Sequence, residues 1–365
     1  LSAVDVLSIT ADVLVGVLSA GVAELGQLVS YPFDANKRIY IGYLLGAVLL
    51  ALPVYWHAAN SSVQTDSTGQ TNSTDKPRPA KSFKGLLGFL FPKHIYLAKS
   101  ARHDYWLLVF NKLIKAAIFA PLIVTMVPIA LSVSDGLEWL FGVIEPVSNN
   151  AVLVMAIFTV LLFLLDDFSR YLLHLALHKI PFLWPIHAVH HSASVLTPFT
   201  IYRSHPIESY FYACRMALAQ GTAVGIGYYL FGPNLKMYDV LGANVFVFLF
   251  NVFGSNLRHS HIWLSWGDRL EGWLISPAQH QIHHSKALAH RDKNLGSALA
   301  IWDRAFGSLV WASEVPSKQL DIGVSYKVGH DSLTGIYINP FKQSFAVITA
   351  TLKRYAARLK QRSHS

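Results

Sequence analysis

A single cysteine, Cys214, stands in a chain of 365 residues, which excludes an intramolecular disulfide and any cysteine-built zinc site. A metal would therefore sit on nitrogen or oxygen. Charge is also scarce: 14% of residues are charged and 53% hydrophobic, a balance more apolar than that of an ordinary soluble domain. The glycine fingerprint of a dinucleotide site and the HExxH motif are both missing, and no glutamate lies inside the histidine-rich motifs. The formal charge of +9 is dispersed over loops and the C-terminal end. It is assigned to anionic lipid head groups, and no nucleic-acid partner is expected. No cleavable signal peptide is expected either, since Asp5 stands where a basic start belongs.

What the chain has is long apolar runs. Five stretches, 39–56, 116–133, 146–165, 216–235 and 240–257, lack charge over the length a helix needs to cross a bilayer, about 17 to 25 residues. Residues 4–30 are apolar but interrupted by Asp5, Asp12 and Glu24, and read as an amphipathic or weakly spanning helix. The fold class expected is all-α, a multi-pass membrane bundle of about 4–6 membrane helices with a cytoplasmic histidine-rich helical cap. Lys76, Arg78, Lys81, Lys84, Lys93, Lys99 and Arg102 place the loop after the first span on the cytoplasmic side, although Lys37 and Arg38 flank the opposite end of that span. The 135–150 connection carries Asp135, Glu138 and Glu145 and no Lys or Arg, so it reads as outside. Two helical hairpins, 116–133 with 146–165 and 216–235 with 240–257, would then deliver the histidines to one cytoplasmic face. The polar stretch 58–84 reads as a linker.

Histidine supplies 17 residues, and 12 of them fall between His174 and His290. His174 and His178 are spaced to share one helix face. Alone, such a pair is more often a surface feature than a metal site. In His187-Ala-Val-His190-His191 and again in His280-Gln-Ile-His283-His284, imidazoles three and four apart share a face while the adjacent pair can point at two different ions. His259-Ser-His261 lies just past the last apolar run. Imidazole suits iron, zinc, copper and nickel alike. A lone zinc takes about four ligands including solvent, so eight or more histidines point to two metals.

In that order these motifs resemble the fatty acid hydroxylase superfamily, which includes sterol desaturases and sterol methyl oxidases. The similarity runs from about Asp166 to Trp311 and includes Arg203-Ser-His205-Pro206-Ile-Glu208, His290-Arg-Asp292-Lys-Asn294-Leu-Gly296 and Ile301-Trp-Asp303-Arg304. Leu172 and Leu175 stand where the family commonly has Trp and Arg. The resemblance implies a di-iron centre at the cytoplasmic face that binds dioxygen, with His174, His178, His187, His190, His191, His280, His283 and His284 as ligands. His259 is favoured to complete it, and whether His261 joins or replaces it stays open. His205 would support the ligands from a turn, His290 would hydrogen-bond, and Asp167 and Asp292 would take protons from outer ring nitrogens, with helix capping or a boundary charge as the plainer readings. Asn294 belongs to the same outlying set. Asp303 and Arg304 read as a structural pair, and Tyr171, Trp184, Trp263, Trp266 and Trp273 as interfacial anchors. The chain divides into membrane segments to residue 57, the linker and basic loop 58–105, a fatty acid hydroxylase-like di-iron domain 106–311, and an interfacial tail 312–365. The tail's basic end, 353–362, reads as a helix on lipid head groups or, alternatively, as a dock for an acidic electron donor.

The function so implied is dioxygen-dependent hydroxylation or desaturation of a lipid C–H bond. Cofactors would be two iron ions, replaceable by zinc on isolation, and O2. With no dinucleotide site, electrons would come from a ferredoxin or cytochrome b5-like donor with its reductase. A zinc hydrolase would use the same imidazoles to activate water; a metal transporter would place ligands near the membrane middle.

Overall fold

The computed structural model describes residues 19, 21–60, 79–119, 122, 125–233, 235–316 and 320–362. Most of the 4–30 segment and of the 58–84 linker lies outside these residues. The described chain is predominantly helical, its one small sheet being a two-stranded hairpin. In chain order the helices that matter here are α1 (Ile41–Asn60), α2 (Phe83–Leu90), α3 (Lys99–Ile114), α4 (Met126–Phe141), α5 (Ala151–Lys179), α6 (Trp184–His191), α7 (Pro206–Phe231), α8 (Val245–Val252), α9 (Pro277–His283) and α10 (Leu333–Arg362).

Two of these, α1 and α5, are long and apolar enough to cross a membrane. They realise the expected runs 39–56 and 146–165. Only 28% and 22% of their apolar windows is buried within the protein, so most of each apolar face looks outward. α5 starts sharply because the Asn150 side chain accepts hydrogen bonds from Val152 N and Leu153 N, both at 3.1 Å. It then runs 29 residues, about 44 Å, and carries its last turns beyond the apolar stretch to the first histidines.

The other three runs form differently from the sequence expectation. Residues 240–257 are not a span: the β-hairpin Asp239–Val240 with Ala243–Asn244 comes first, turning through Leu241 and Gly242 at positive φ. The eight residues of α8 that follow extend about 12 Å, far short of a hydrocarbon core of about 30 Å. The 116–133 run is divided between a π-helical turn, Lys115–Phe119, and α4. The 216–235 run lies within and just past α7. The physical reason is that absence of charge permits a helix but does not set its ends. α4 and α7 nevertheless pack closely, because Gly221 and Gly225 give way to Ile129, Ala130 and Val133: a Cβ on Gly225 would stand 2.6 Å from the Ala130 carbonyl oxygen.

α3, α6 and α10 meet around Leu107, Val189 and Ile336. α1 packs against the segment that carries the 3-10 turn Ser255–His259, with Ala47, Ala51, Leu90, Leu257 and Ile262 in one apolar cluster. These contacts hold the histidine-bearing segments at the end of α5.

Candidate metal centre

Four segments converge. The last turns of α5 bring His174 and His178; α6 brings His187, His190 and His191; the 3-10 turn brings His259; α9 brings His280 and His283, with His284 at its C-terminal cap. α9 is fixed by a reciprocal capping box between Ser276 and Gln279. The nine imidazoles separate into two groups, His174, His178, His187, His191 and His283 in one and His190, His259, His280 and His284 in the other. Within each group the candidate ligand atoms all lie within 4.8 Å of one another. Each HxxHH motif is split between the groups, as the adjacent histidines require.

The outer ring nitrogens set the tautomers. Nδ1–H of His174 donates to Leu295 O at 2.7 Å, of His190 to Arg203 O at 3.1 Å and of His283 to Lys293 O at 2.8 Å. His187 Nδ1 donates to Glu208 Oε1 at 2.9 Å, and His178 Nδ1 to Asp292 Oδ1 at 3.2 Å. A carbonyl oxygen only accepts, so the proton must be on Nδ1 and the inward Nε2 must carry a lone pair. Those Nε2 atoms crowd together: His174 and His187 at 3.1 Å, His187 and His191 at 3.2 Å, His190 and His259 at 3.3 Å, His259 and His280 at 3.0 Å. For His174 with His187 neither inward nitrogen has a hydrogen to give. Ligands about 2.1 Å from one ion stand roughly 3.0 to 3.4 Å apart, so this spacing is what a shared cation produces. Nε2 of His178 and His283 and both ring nitrogens of His284 are buried without a hydrogen-bond partner. The residues fit two metal ions. Burial also keeps the imidazoles neutral and able to ligate: His187 is lowered to about 3 and His190 to about 4. His191, His259, His280, His283 and His284 are lowered too, by burial and then by neighbouring charged or imidazole groups.

The outlying candidates lie around these two groups. His261 lies outside both groups, its Nε2 2.7 Å from Phe89 O, because the extended residue Ser260 turns successive side chains apart. His205 caps α7, accepting from Ile207 N, while its Nε2 donates to Tyr337 O at 3.1 Å. His290, on a short 3-10 turn, also stands apart from both groups. Asp292 does take a ligand's proton, from His178, and holds Lys179 at 2.7 Å as well. Asp167 does not: it accepts from Ala298 N, Leu299 N and Trp302 Nε1 at 2.9 to 3.1 Å. Asn294 bonds the carbonyls of Gln279 and Val310. Asp292 and Asn294 both adopt positive φ, which turns the Lys293 and Leu295 carbonyls toward His283 and His174. Asp303 is no partner of Arg304; it accepts from Leu295 N and Gly296 N, whereas Arg304 lies over Trp273. Tyr171 is fully buried on Ser308, and Trp184 packs on His178 and His191 with ring centroids 5.0 and 5.4 Å apart.

Glu208 was missed as a site residue. It lies in the first turn of α7, far in sequence from the His187 it contacts, and the only signal for it was its place in the Arg203-to-Glu208 motif. Arg203 acts similarly, its buried ion pair with Asp104 at 2.9 Å and its bond to Val189 O tying α6 to α3. Beside the histidines lies a cavity of about 360 Å³, walled on one side by His174, His187, His190, His259 and His280 and on another by Ile201, Tyr212, Ala213 and Met216. A gap of about 100 Å³ reaches the opposite side at His178, His191, His283 and Trp184.

Residues 159–308, which include all nine grouped histidines, match the family described as fatty acid hydroxylase. Over 189 residues the chain is 31% identical to an ornithine lipid hydroxylase of Rhizobium tropici, covering 52% of this chain and 52% of that protein. It is 28% identical over 153 residues to an alkylglycerol monooxygenase of Xenopus tropicalis, covering 41% of this chain and 30% of that protein. With a Delta(7)-sterol 5(6)-desaturase of Eremothecium gossypii it shares 30% identity over 150 residues, 40% of this chain and 35% of that protein. The chain thus spans about half the length of the first of these relatives and about a third of the other two. No solved structure matches.

Proposed function

From a chain whose residues 159–308 belong to the fatty acid hydroxylase family, we propose a dioxygen-dependent membrane oxygenase that hydroxylates or desaturates a C–H bond of a lipid. The observation that carries this reading is the division of nine buried imidazoles into two groups, with the inward nitrogens of His174, His178, His187, His190 and His283 bearing lone pairs. The five-histidine group would hold one iron and the group of His190, His259, His280 and His284 the other. Two bound irons supply dioxygen activation and hydrogen abstraction from an unactivated carbon. The chain's own residues hold the tautomers, through Leu295 O, Lys293 O, Arg203 O, Glu208 and Asp292, and keep the imidazoles from swinging. Ile201, Tyr212, Ala213 and Met216 offer the wall along which an alkyl segment would lie, next to the inward nitrogens.

A multi-pass placement with the centre at the cytoplasmic face is part of the same proposal. It is supported by the outward apolar faces of α1 and α5, and by α10, whose exposed Phe341, Phe345, Ile348, Leu352, Tyr355 and Leu359 share one stripe among Lys353, Arg354 and Arg358. The alkylglycerol, ornithine-lipid and sterol names of the relatives support a lipid substrate. Electrons would come from a ferredoxin or cytochrome b5-like partner; Trp184 bonds the hydroxyl of exposed Tyr326 and so links the five-histidine group to the surface.

The test is incorporation of 18O from labelled dioxygen into lipid by the purified, iron-loaded protein with a reductant, or dioxygen-dependent alkene formation. His187→Ala and His283→Ala should abolish it. Lipid turnover that proceeds equally without dioxygen would overturn the reading in favour of a zinc hydrolase.

A further inference from the structure

The cavity beside the metal centre is lined by five cationic side chains, Arg38, Lys115, Arg170, Arg215 and Arg258, and by one carboxylate, Glu208, which is engaged with His187. Asp166, behind the wall, pairs with Arg170 at 3.0 Å and Arg215 at 2.8 Å, and Arg215 Nε remains buried without a partner. Arg38 and Arg258 hydrogen-bond to neutral oxygens, and Arg258 also lies over the Phe250 ring at 5.1 Å. Arg258, 4% exposed, donates to Ser297 O at 2.6 Å, Ser255 O at 3.3 Å and Ser255 Oγ at 3.2 Å. Arg38 donates to Asn251 Oδ1 and to that same Ser255 Oγ. Two guanidinium groups therefore converge on one hydroxyl, and among the described residues neither they nor Lys115 form an ion pair.

A buried cation without a counter-charge is unfavourable, and two side by side more so. Metal ions on the histidine wall would add positive charge to the same space. What Arg38 and Arg258 lack is an anion of their own. The guanidinium fork matches a carboxylate or a phosphate, and a seat between Arg38 and Arg258 would give either group charge-assisted hydrogen bonds from both sides. Arg38 and Lys115 lie outside residues 159–308, so part of this charge comes from the chain's own N-terminal segment rather than from the matched region.

We infer that the cavity takes a lipid with an acidic head group, phosphate or carboxylate, seated between Arg38 and Arg258 with its adjoining carbons along the histidine wall. The inference rests on the oxygenase reading for the word substrate, but its test is one of binding. The full chain in a non-ionic detergent, with and without iron, would be titrated with lysophosphatidic acid, the free fatty acid and the monoacylglycerol of one acyl chain. Dissociation constants would be read by tryptophan fluorescence. At least one acid should bind about tenfold more tightly than the neutral lipid, as one or two charged hydrogen bonds provide; which acid does so separates phosphate from carboxylate. Arg38→Gln and Arg258→Gln should each bring the acid close to the neutral lipid, Arg258→Lys should retain part of the preference, and Lys353→Gln with Arg358→Gln on α10 should leave it intact. Circular dichroism and iron content identify a variant that has merely lost its fold, and Arg38→Gln, outside the 3-10 turn that carries Arg258 and His259, stands in should Arg258→Gln do so. Equal binding of all three lipids overturns the inference, as does an acid preference that survives in a folded Arg38→Gln or Arg258→Gln protein. Loss of iron or of oxygen incorporation with head-group preference intact would instead count against the oxygenase reading alone.

Discussion

Glu208 offers the sharpest test of the metal centre, because it touches one group and not the other. Its Oε1 accepts from His187 Nδ1 at 2.9 Å, both side chains being almost wholly buried, and His187 belongs to the five-histidine group. A charged hydrogen bond of this kind contributes about 1.5–3 kcal/mol. Removing such an outer partner lowers metal affinity by roughly 10–100-fold. Glu208→Gln keeps a neutral acceptor at the same place and should lose about tenfold, near the lower end of that range. Glu208→Ala leaves a buried N–H unsatisfied and should approach the upper end. The assay is chelator competition on the iron-loaded protein, with metal content measured at each chelator concentration. The parent should release its ions at high chelator; the Ala variant should release one ion at a far lower concentration and keep the other. If Glu208→Ala retains both ions at parental chelator concentrations, the assignment of His187 as a ligand held by Glu208 is wrong.

Other perturbations follow from the same geometry. His261→Gln should leave iron stoichiometry unchanged, since His261 points to Phe89 O; loss of an ion on metal analysis would restore it to the centre. Asp303→Asn should weaken iron binding, because Asp303 holds the Leu295 and Gly296 amides and Leu295 O orients His174, while Arg304→Gln should have little effect; chelator competition separates the two. Gly225→Leu should destabilise the fold by about 1–3 kcal/mol through overpacking against Ala130 and Val133, read as a lower denaturation midpoint, whereas the same change at Gly136, with nothing within 4 Å, should not.

The sequence disclosed the chemistry more fully than the architecture, for physical reasons. Histidines at spacings of three and four declare a shared helix face, and adjacent histidines declare two directions, so eight of the nine grouped imidazoles were legible from their motifs and His259 from its position. His261 was not separable from His259, because a difference of two residues near a turn depends on one backbone dihedral. The span at 240–257 failed because hydropathy does not register a tight turn such as Leu241-Gly242 within an apolar run. Glu208 and Arg38 escaped for a different reason: each acts on a partner distant in sequence, His187 for one and Ser255 for the other, and spacing carries no information across such distances.

The arrangement of the grouped histidines along the chain also fixes when each group can be completed. The five-histidine group needs His283, and the other needs His280 and His284, so both wait for the same C-terminal segment even though His174 is made more than a hundred residues earlier. Neither group can be completed by the part of the chain that emerges first. During synthesis α5 and α6 are therefore made before either group is whole, and both groups close only when α9 packs against α5, α6 and the 3-10 turn. The last of these segments to be made thus decides whether the paired groups form at all.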